Sequence, residues 1–228
     1  AYPLIQVARE EAEKEGQFAE GCGFYKLFWL FVIGSLLGDL VETIFCRITA
    51  GVWMSRRSLV WGPFSIIWGM AIVAATILLH KDREKPDRYL FMVGTFLGGA
   101  YEYLCSVFAE LFFGKVFWDY SGIPFNLGGR INLLYCFFWG IAAVIWIKVL
   151  YPRISDWIEK IPKLTGYIVT WCLILFMAAN MVVSAAALVR YDQRAQGDTP
   201  DNAVEKLIDT RFDDARMEKI YQNAKSAR

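Results

Sequence analysis

Histidine occurs once in the 228 residues, and the five cysteines are scattered with no C-x-x-C pair. A zinc site draws on clustered His and Cys ligands, so no metal centre is expected. Cys22, Cys46, Cys105, Cys136 and Cys172 read as small apolar packing residues. Net charge is nearly absent too: 24 basic residues stand against 23 acidic ones. That balance excludes a strongly basic nucleic-acid binder. No G-x-x-x-x-G-K-S/T loop occurs, since Gly114-Lys115 lacks the upstream glycine and the following hydroxyl residue, so the chain carries no ATPase motif. There is no G-x-S-x-G elbow, and His80 stands at the end of an apolar run, so no nucleophile–base pair of recognised spacing marks a hydrolase. No internal repeat and no low-complexity segment is read, no cofactor is expected, and enzymatic activity is the less favoured expectation.

What the chain has in abundance is apolar and aromatic surface, at 56% and 16% of residues, with a mean hydropathy of +0.34. An ordinary soluble domain carries about 45–50% apolar residues. A bilayer core of about 30 Å needs roughly 20 apolar helical residues. Five runs reach that length: Phe24–Cys46, Leu59–Leu79, Tyr89–Phe113, Ile131–Tyr151 and Gly166–Val189. Ser65–Leu79 and Tyr167–Leu188 are apolar all round, without the polar back of a soluble helix. The ten-residue alternation of a membrane β-barrel is absent. The first run is too long for a cleaved leader and follows a polar stretch. The expected fold is therefore all-α: a polytopic helical membrane protein with about five transmembrane helices and a C-terminal amphipathic helix. Its parts are a polar N-terminal segment (1–23), a transmembrane domain (24–190) and a charged tail (191–228).

Eleven basic residues fall near the span ends on the N-terminal side and seven on the other. The positive-inside rule then puts the N-terminus in the cytoplasm, and an odd span count puts the tail outside a cell membrane crossed several times. In the tail, Val204, Leu207, Ile208, Ala215 and Ile220 fall near helical spacing over Pro200–Tyr221, with Thr199 or Asp201 as the cap. Residues 5–15 read as a second short charged helix. Either segment would lie on the protein or the headgroups, or dock a partner.

Ionisable groups inside apolar spans face protein or water and usually mark function. The first span carries Asp39 and Glu42, three apart and so on one helical face. The third carries Glu102 and Glu110, with Gly98 and Gly99 before Glu102 allowing close helix approach. Asn180 lies in the last span. Such carboxylates can handle protons or cations, ligate a hard metal, act as acid and base, or simply fix helix register through Arg47, Arg130 or tyrosine hydroxyls. Between the third and fourth spans, Trp118, Asp119, Tyr120, Pro124, Asn126, Gly128, Gly129 and Arg130 combine interfacial aromatics with helix breakers. Irregular backbone at membrane depth is tolerated only where it is buried in protein or lines water. Asp119 is placed to pair with Arg130, or Arg130 to hold an anion bidentately. The stretch from Ser55 to Phe64, with Arg56, Arg57 and Trp61-Gly62-Pro63, has similar chemistry and falls on the same side.

Glu42, Trp61-Gly62-Pro63, Gly98-x-x-x-Glu102-Tyr103 and the run Trp118-Asp119-Tyr120-Ser121 to Ile131 together resemble a family of small bacterial membrane proteins. These are the ABC-transporter permeases of type IV, or CmpB-like, and the resemblance covers about residues 25–150. It implies a permease-like subunit that moves a small solute or ion through a polar intramembrane cavity. Glu42, Trp61, Glu102, Trp118, Asp119, Tyr120, Asn126 and Arg130 are the expected substrate-binding residues. The lipid bilayer, a separate ATPase subunit or further copies of the chain are the expected partners. The alternatives are a membrane-embedded enzyme acting on a lipid-linked or envelope substrate, and a non-catalytic scaffold or sensor.

Overall fold

The computed structural model describes residues 16–222 and the backbone of residues 225 and 226. The helix expected over residues 5–15 lies outside them. The helices are α1 (Phe24–Ala50), α2 (Ile66–Leu79), α3 (Asp87–Phe113), α4 (Leu133–Ile145), α5 (Tyr151–Glu159), α6 (Lys163–Ala195), α7 (Ala203–Arg211) and α8 (Asp214–Ile220). Two-residue strands β1 (Lys115–Val116), β2 (Asn126–Leu127), β3 (Ile131–Asn132) and β4 (Lys225–Ser226) pair antiparallel as β1 with β4 and β2 with β3. The protein is an all-α polytopic membrane protein. Among the described residues four helical runs are long and apolar enough to cross a bilayer: α1, α3, the continuous run Leu133–Glu159, and α6. Their outer faces carry Leu40, Val41, Phe96, Leu104, Leu111, Leu175 and Val182, all exposed, as surfaces facing lipid tails require.

The second expected span is helical only over its last two thirds. α2 has 14 residues, about 21 Å at 1.5 Å per residue, short of the hydrocarbon core. Gly62 and Pro63 break the helix, and the Ser65 amide donates to the Ser35 carbonyl, midway along α1, at 2.9 Å. The rest of this passage is irregular chain buried in protein. Leu59, Val60 and Ser65 are buried. Asn180 of α6 brackets Trp61, accepting from its amide at 3.2 Å and donating to its carbonyl at 2.7 Å, and Ser184 accepts from the Val60 amide at 2.9 Å. Asn180→Ala is expected to orphan both backbone groups and cost about 2–3 kcal/mol. The readout is the unfolding midpoint in mild detergent, and an unchanged midpoint would mean that α6 does not hold this loop.

An internal repeat emerges where the sequence reads without one. Hairpins α1–α2 and α3–α4 are two copies of one unit. Phe31, Gly34, Ser35, Gly38 and Glu42 recur 60 residues later as Phe91, Gly94, Thr95, Gly98 and Glu102, and Trp68-Gly69 recurs 71 residues later as Trp139-Gly140. The contacts recur as well. A methyl group added at Gly38 would strike Trp68, and one at Gly98 would strike Trp139. One at Gly69 would stand 2.7 Å from the Phe31 carbonyl beside Ser35, and one at Gly140 would stand 2.7 Å from the Phe91 carbonyl beside Thr95. Each glycine thus lets one helix backbone meet the other, the small-residue packing expected where hydrophobicity cannot drive association. α1 and α3 run in the same direction, so the copies are parallel rather than inverted repeats. Both helices end on a left-handed glycine, Gly51 at φ 74° and Gly114 at φ 59°, which a side chain would strain.

The fourth passage continues past Tyr151, where the apolar run read in the sequence ends, to Glu159. A π-helical turn at Trp146–Leu150 precedes α5 and puts Pro152 in the first turn of that helix, where its missing amide breaks no intrahelical bond. At the same end of the bundle Lys26 is fully buried and donates to Ser155 and Glu159. Loops 51–65 and 114–132 gather at the opposite end together with the tail. There Arg56 donates to the Phe117 carbonyl at 3.1 Å, and Tyr221 to the Ser58 carbonyl at 2.9 Å.

The tail forms two helices in place of the single one expected, and the caps are Asn202 and Asp213, not Thr199 or Asp201. The chain breaks at Phe212, whose buried ring packs with Met217, Ile220 and Tyr221 against Val60, Ala187 and Leu188. Val204 and Leu207 of the expected apolar stripe are exposed. Arg190 and Arg194 of α6 both grip Asp209, with Arg190 Nη2 at 2.7 Å from its carboxylate. The Arg190 hydrogen bond holds the Asp209 carboxyl below its ordinary value. A depressed folded value means that this stabilisation is present above the unfolded carboxylate range near pH 4 and is lost as pH falls through the folded value. Proteolysis of the tail is therefore expected to be flat from pH 8 to pH 5 and to accelerate only in stronger acid. Release near pH 6 would contradict this anchor.

Candidate functional site

The repeat brings two carboxylates to corresponding positions. In the first copy Glu42 accepts from Trp68 Nε1 at 3.0 Å and pairs with Arg56 Nε at 3.3 Å. In the second, Glu102 accepts from Trp139 Nε1 at 3.2 Å and from the Tyr120 hydroxyl at 2.7 Å. The two indoles pack on each other between the two copies, centroids 5.0 Å apart and planes at 36°. Each carboxylate is thus held by the indole of its own hairpin, and the indoles join the halves. A buried indole N–H needs an acceptor, and a buried carboxylate needs donors. The two requirements are met by each other.

The loop over this centre is built by short local bonds. The Asp119 carboxylate accepts from the Ser121 amide at 2.9 Å. The Asn126 side chain donates to the Ile123 carbonyl at 2.7 Å and accepts from the Gly129 amide at 3.0 Å. Trp118 Nε1 donates to the Arg130 carbonyl at 2.9 Å, and Asn132 caps α4 by accepting from the Leu134 amide. Tyr120 hangs from this loop, stacked on Tyr135 at 4.7 Å, and reaches down to Glu102. Burial, with the Glu102 carboxylate beside it, pushes the Tyr120 phenol above its usual range, so the hydroxyl stays a donor.

The centre therefore gathers Glu42, Glu102 and Tyr120 in one network, with Trp118, Asp119 and Asn126 shaping the loop above it. Arg130 points elsewhere. Its guanidinium donates to Ser106 at 3.0 Å, pairs with Glu110, and lies 6.0 Å from the Tyr103 ring centre. The expected Asp119–Arg130 pair is replaced by this clamp on α3, because Ser106 and Glu110 are successive turns of the Glu102 face. Trp61 is not part of the network: its backbone is fixed on Asn180, and it lines a cleft with Arg211, Phe212 and Arg216 of the tail. Asp39 accepts from Ser55 at 2.9 Å, one turn from Glu42. Trp68, Trp139 and the Arg56–Glu42 pair went unread because a tryptophan inside an apolar span looks like one more apolar residue. The signal that finds them is the recurring Trp-Gly pair.

Among the described residues no group of three or more His, Cys, Asp or Glu is placed to hold a metal ion. Chemically, the arrangement offers two anchored carboxylates, one guanidinium and one phenol at the junction of two rigid hairpins. Residues 29–185 match a protein family described as "Putative ABC-transporter type IV". The match extends beyond residues 25–150 and takes in most of α6, leaving α7 and α8 outside it. No curated protein and no solved structure matches the chain.

Proposed function

We propose that the chain, which belongs to this family, is the permease-like membrane subunit of a transporter, and that a small solute or ion passes along the junction of its two hairpins. What carries the reading is the meeting of Glu42 and Glu102 through Trp68 and Trp139. In transporters built from parallel repeats, binding sites lie near midplane at the repeat interface, and gating is rocking of one repeat against the other. Glu42, Glu102 and Tyr120 are the groups a passing solute meets. Trp118, Asp119 and Asn126 shape the loop over them, Arg130 anchors that loop to α3, and Trp61 fixes the neighbouring one. With no nucleotide-binding motif in the chain, energy comes from a separate ATPase subunit. The surface for it is the bundle end opposite the tail, where Lys148 ties the 80–86 loop by donating to the Lys85 carbonyl at 2.8 Å.

The test is purification of the tagged full-length chain from its native membrane in mild detergent, followed by assay of ATP hydrolysis in the eluate. The reading expects co-purifying hydrolysis that falls at least tenfold when Lys81 and Arg83 are both replaced by glutamate while chain yield is unchanged. An eluate without hydrolysis, or hydrolysis indifferent to those changes, would count against an ATPase-coupled permease.

A further inference from the structure

Arg57, in the loop of the first hairpin, lacks the clamp that Arg130 has in the second. In the second hairpin the arginine that precedes the Trp-Gly pair is Arg130, and its guanidinium is taken up by Ser106 and Glu110. The loop of the first hairpin carries two arginines before its own pair, Arg56 and Arg57. Sixty residues before Ser106 and Glu110 stand Cys46 and Ala50, which offer a guanidinium no carboxylate or hydroxyl. Arg57 accordingly makes no hydrogen bond or ion pair with any described residue. Its Nε is closed off from solvent and has no acceptor, although the side chain as a whole is partly exposed. Its neighbour Arg56, by contrast, is engaged by Glu42 and the Phe117 carbonyl.

The Nη nitrogens of this half-exposed side chain are not closed off and have no partner among the described residues, so an anion can supply acceptors that the chain does not. The segment around Arg57 is held firmly: Ser58 accepts from the Ile66 amide at 3.1 Å, the Ser58 amide donates to the Phe64 carbonyl at 2.8 Å, and Tyr221 donates to the Ser58 carbonyl. The guanidinium is therefore presented by a fixed backbone. Trp53 and Trp61, both exposed, flank it on the same segment, as aromatics do at headgroup level.

We infer that Arg57 binds a phosphate group at the tail end of the bundle, its planar fork taking two oxygens of one phosphate. The shared chemistry admits two sources, the headgroup of an anionic phospholipid and a free phosphate from the aqueous side. The site is separate from the Glu42–Glu102 centre, and its existence does not depend on the chain's being a permease.

The experiment uses the full chain in nanodiscs and follows its thermal unfolding midpoint by tryptophan fluorescence. One arm replaces phosphatidylcholine stepwise by phosphatidylglycerol. The other adds inorganic phosphate to pure phosphatidylcholine discs, with sodium chloride at equal ionic strength as the reference. The wild-type midpoint is expected to rise in one arm, which identifies the source. Arg57→Gln should weaken the apparent affinity about 10- to 100-fold, the range for a charge-assisted hydrogen bond. Arg57→Lys should fall between, because it keeps the charge and loses the fork. Without ligand, Arg57→Gln should unfold no lower than wild type, since no described residue hydrogen-bonds or ion-pairs with that side chain. A wild-type midpoint flat in both arms, a rise matched by sodium chloride, or equal rises in wild type and Arg57→Gln would each overturn the assignment.

Discussion

Replacing Glu102 by alanine is expected to destabilise the purified protein by about 2–4 kcal/mol, because two half-buried donors lose their buried acceptor together. Tyr120 and Trp139 both end on this carboxylate, and Glu102 is only 8% exposed, so water cannot replace it freely. Glutamine should recover part of the loss. Its amide oxygen can serve one donor, while its amide nitrogen turns a donor toward the other. The consequence reaches the loop: without Glu102, Tyr120 has no tie to α3 through its hydroxyl, and the 114–132 segment should become more open to proteolysis. Denaturant unfolding in mild detergent gives the energy and limited proteolysis gives the loop. A loss under about 0.5 kcal/mol would mean that the phenol and the indole find other partners.

The second large effect is steric and tests the repeat. Gly38→Leu and Gly98→Leu are expected to disrupt their hairpins to a similar degree, because each would drive a side chain into the tryptophan of its own copy. Overpacking of this kind costs about 1–3 kcal/mol even where neighbours can shift. Here the displaced group is also the donor to Glu42 or Glu102, so the hydrogen bond goes with the packing. Gly122→Leu is the control, since nothing stands within 4 Å of a methyl group there. Unfolding midpoints and near-ultraviolet tryptophan dichroism read the result. A tolerated Gly98→Leu beside a ruinous Gly38→Leu would mean that the two hairpins are not built alike.

Much of this was legible from residue types. Long apolar runs name their own environment, and four of the five read in the sequence are single crossing helices. A carboxylate amid such a run has to find donors, so Glu42 and Glu102 were marked by chemistry alone. The donors were less visible. A tryptophan within a span satisfies hydropathy whether or not its N–H is used, so neither Trp68 nor Trp139 stood out until Gly38 and Gly98 were seen to make room for them. The repeat was hidden for a related reason. The first helices of the hairpins are offset by 60 residues and the second by 71, so no single register shows both, and beyond common apolar residues the matches are the packing glycines, the glutamate and the Trp-Gly pair. The broken second passage was masked by composition: residues 59–65 are as apolar as a helix, and only the Gly62-Pro63 step and the demand on Asn180 and Ser184 distinguish them. Arg130 was read toward Asp119 because that pair is near in sequence, whereas the helical face repeating at Ser106 and Glu110 is nearer in space.

The account stands on Glu42 and Glu102 belonging to one centre. The direct measurement is a double-mutant cycle with Glu42→Gln, Glu102→Gln and the pair, each unfolded in the same detergent. Linked through the packed indoles and the charge of Arg56, the two changes should depart from additivity by more than about 0.5 kcal/mol. Destabilisations that sum within about 0.3 kcal/mol would make them two independent sites and would contradict the centre described above.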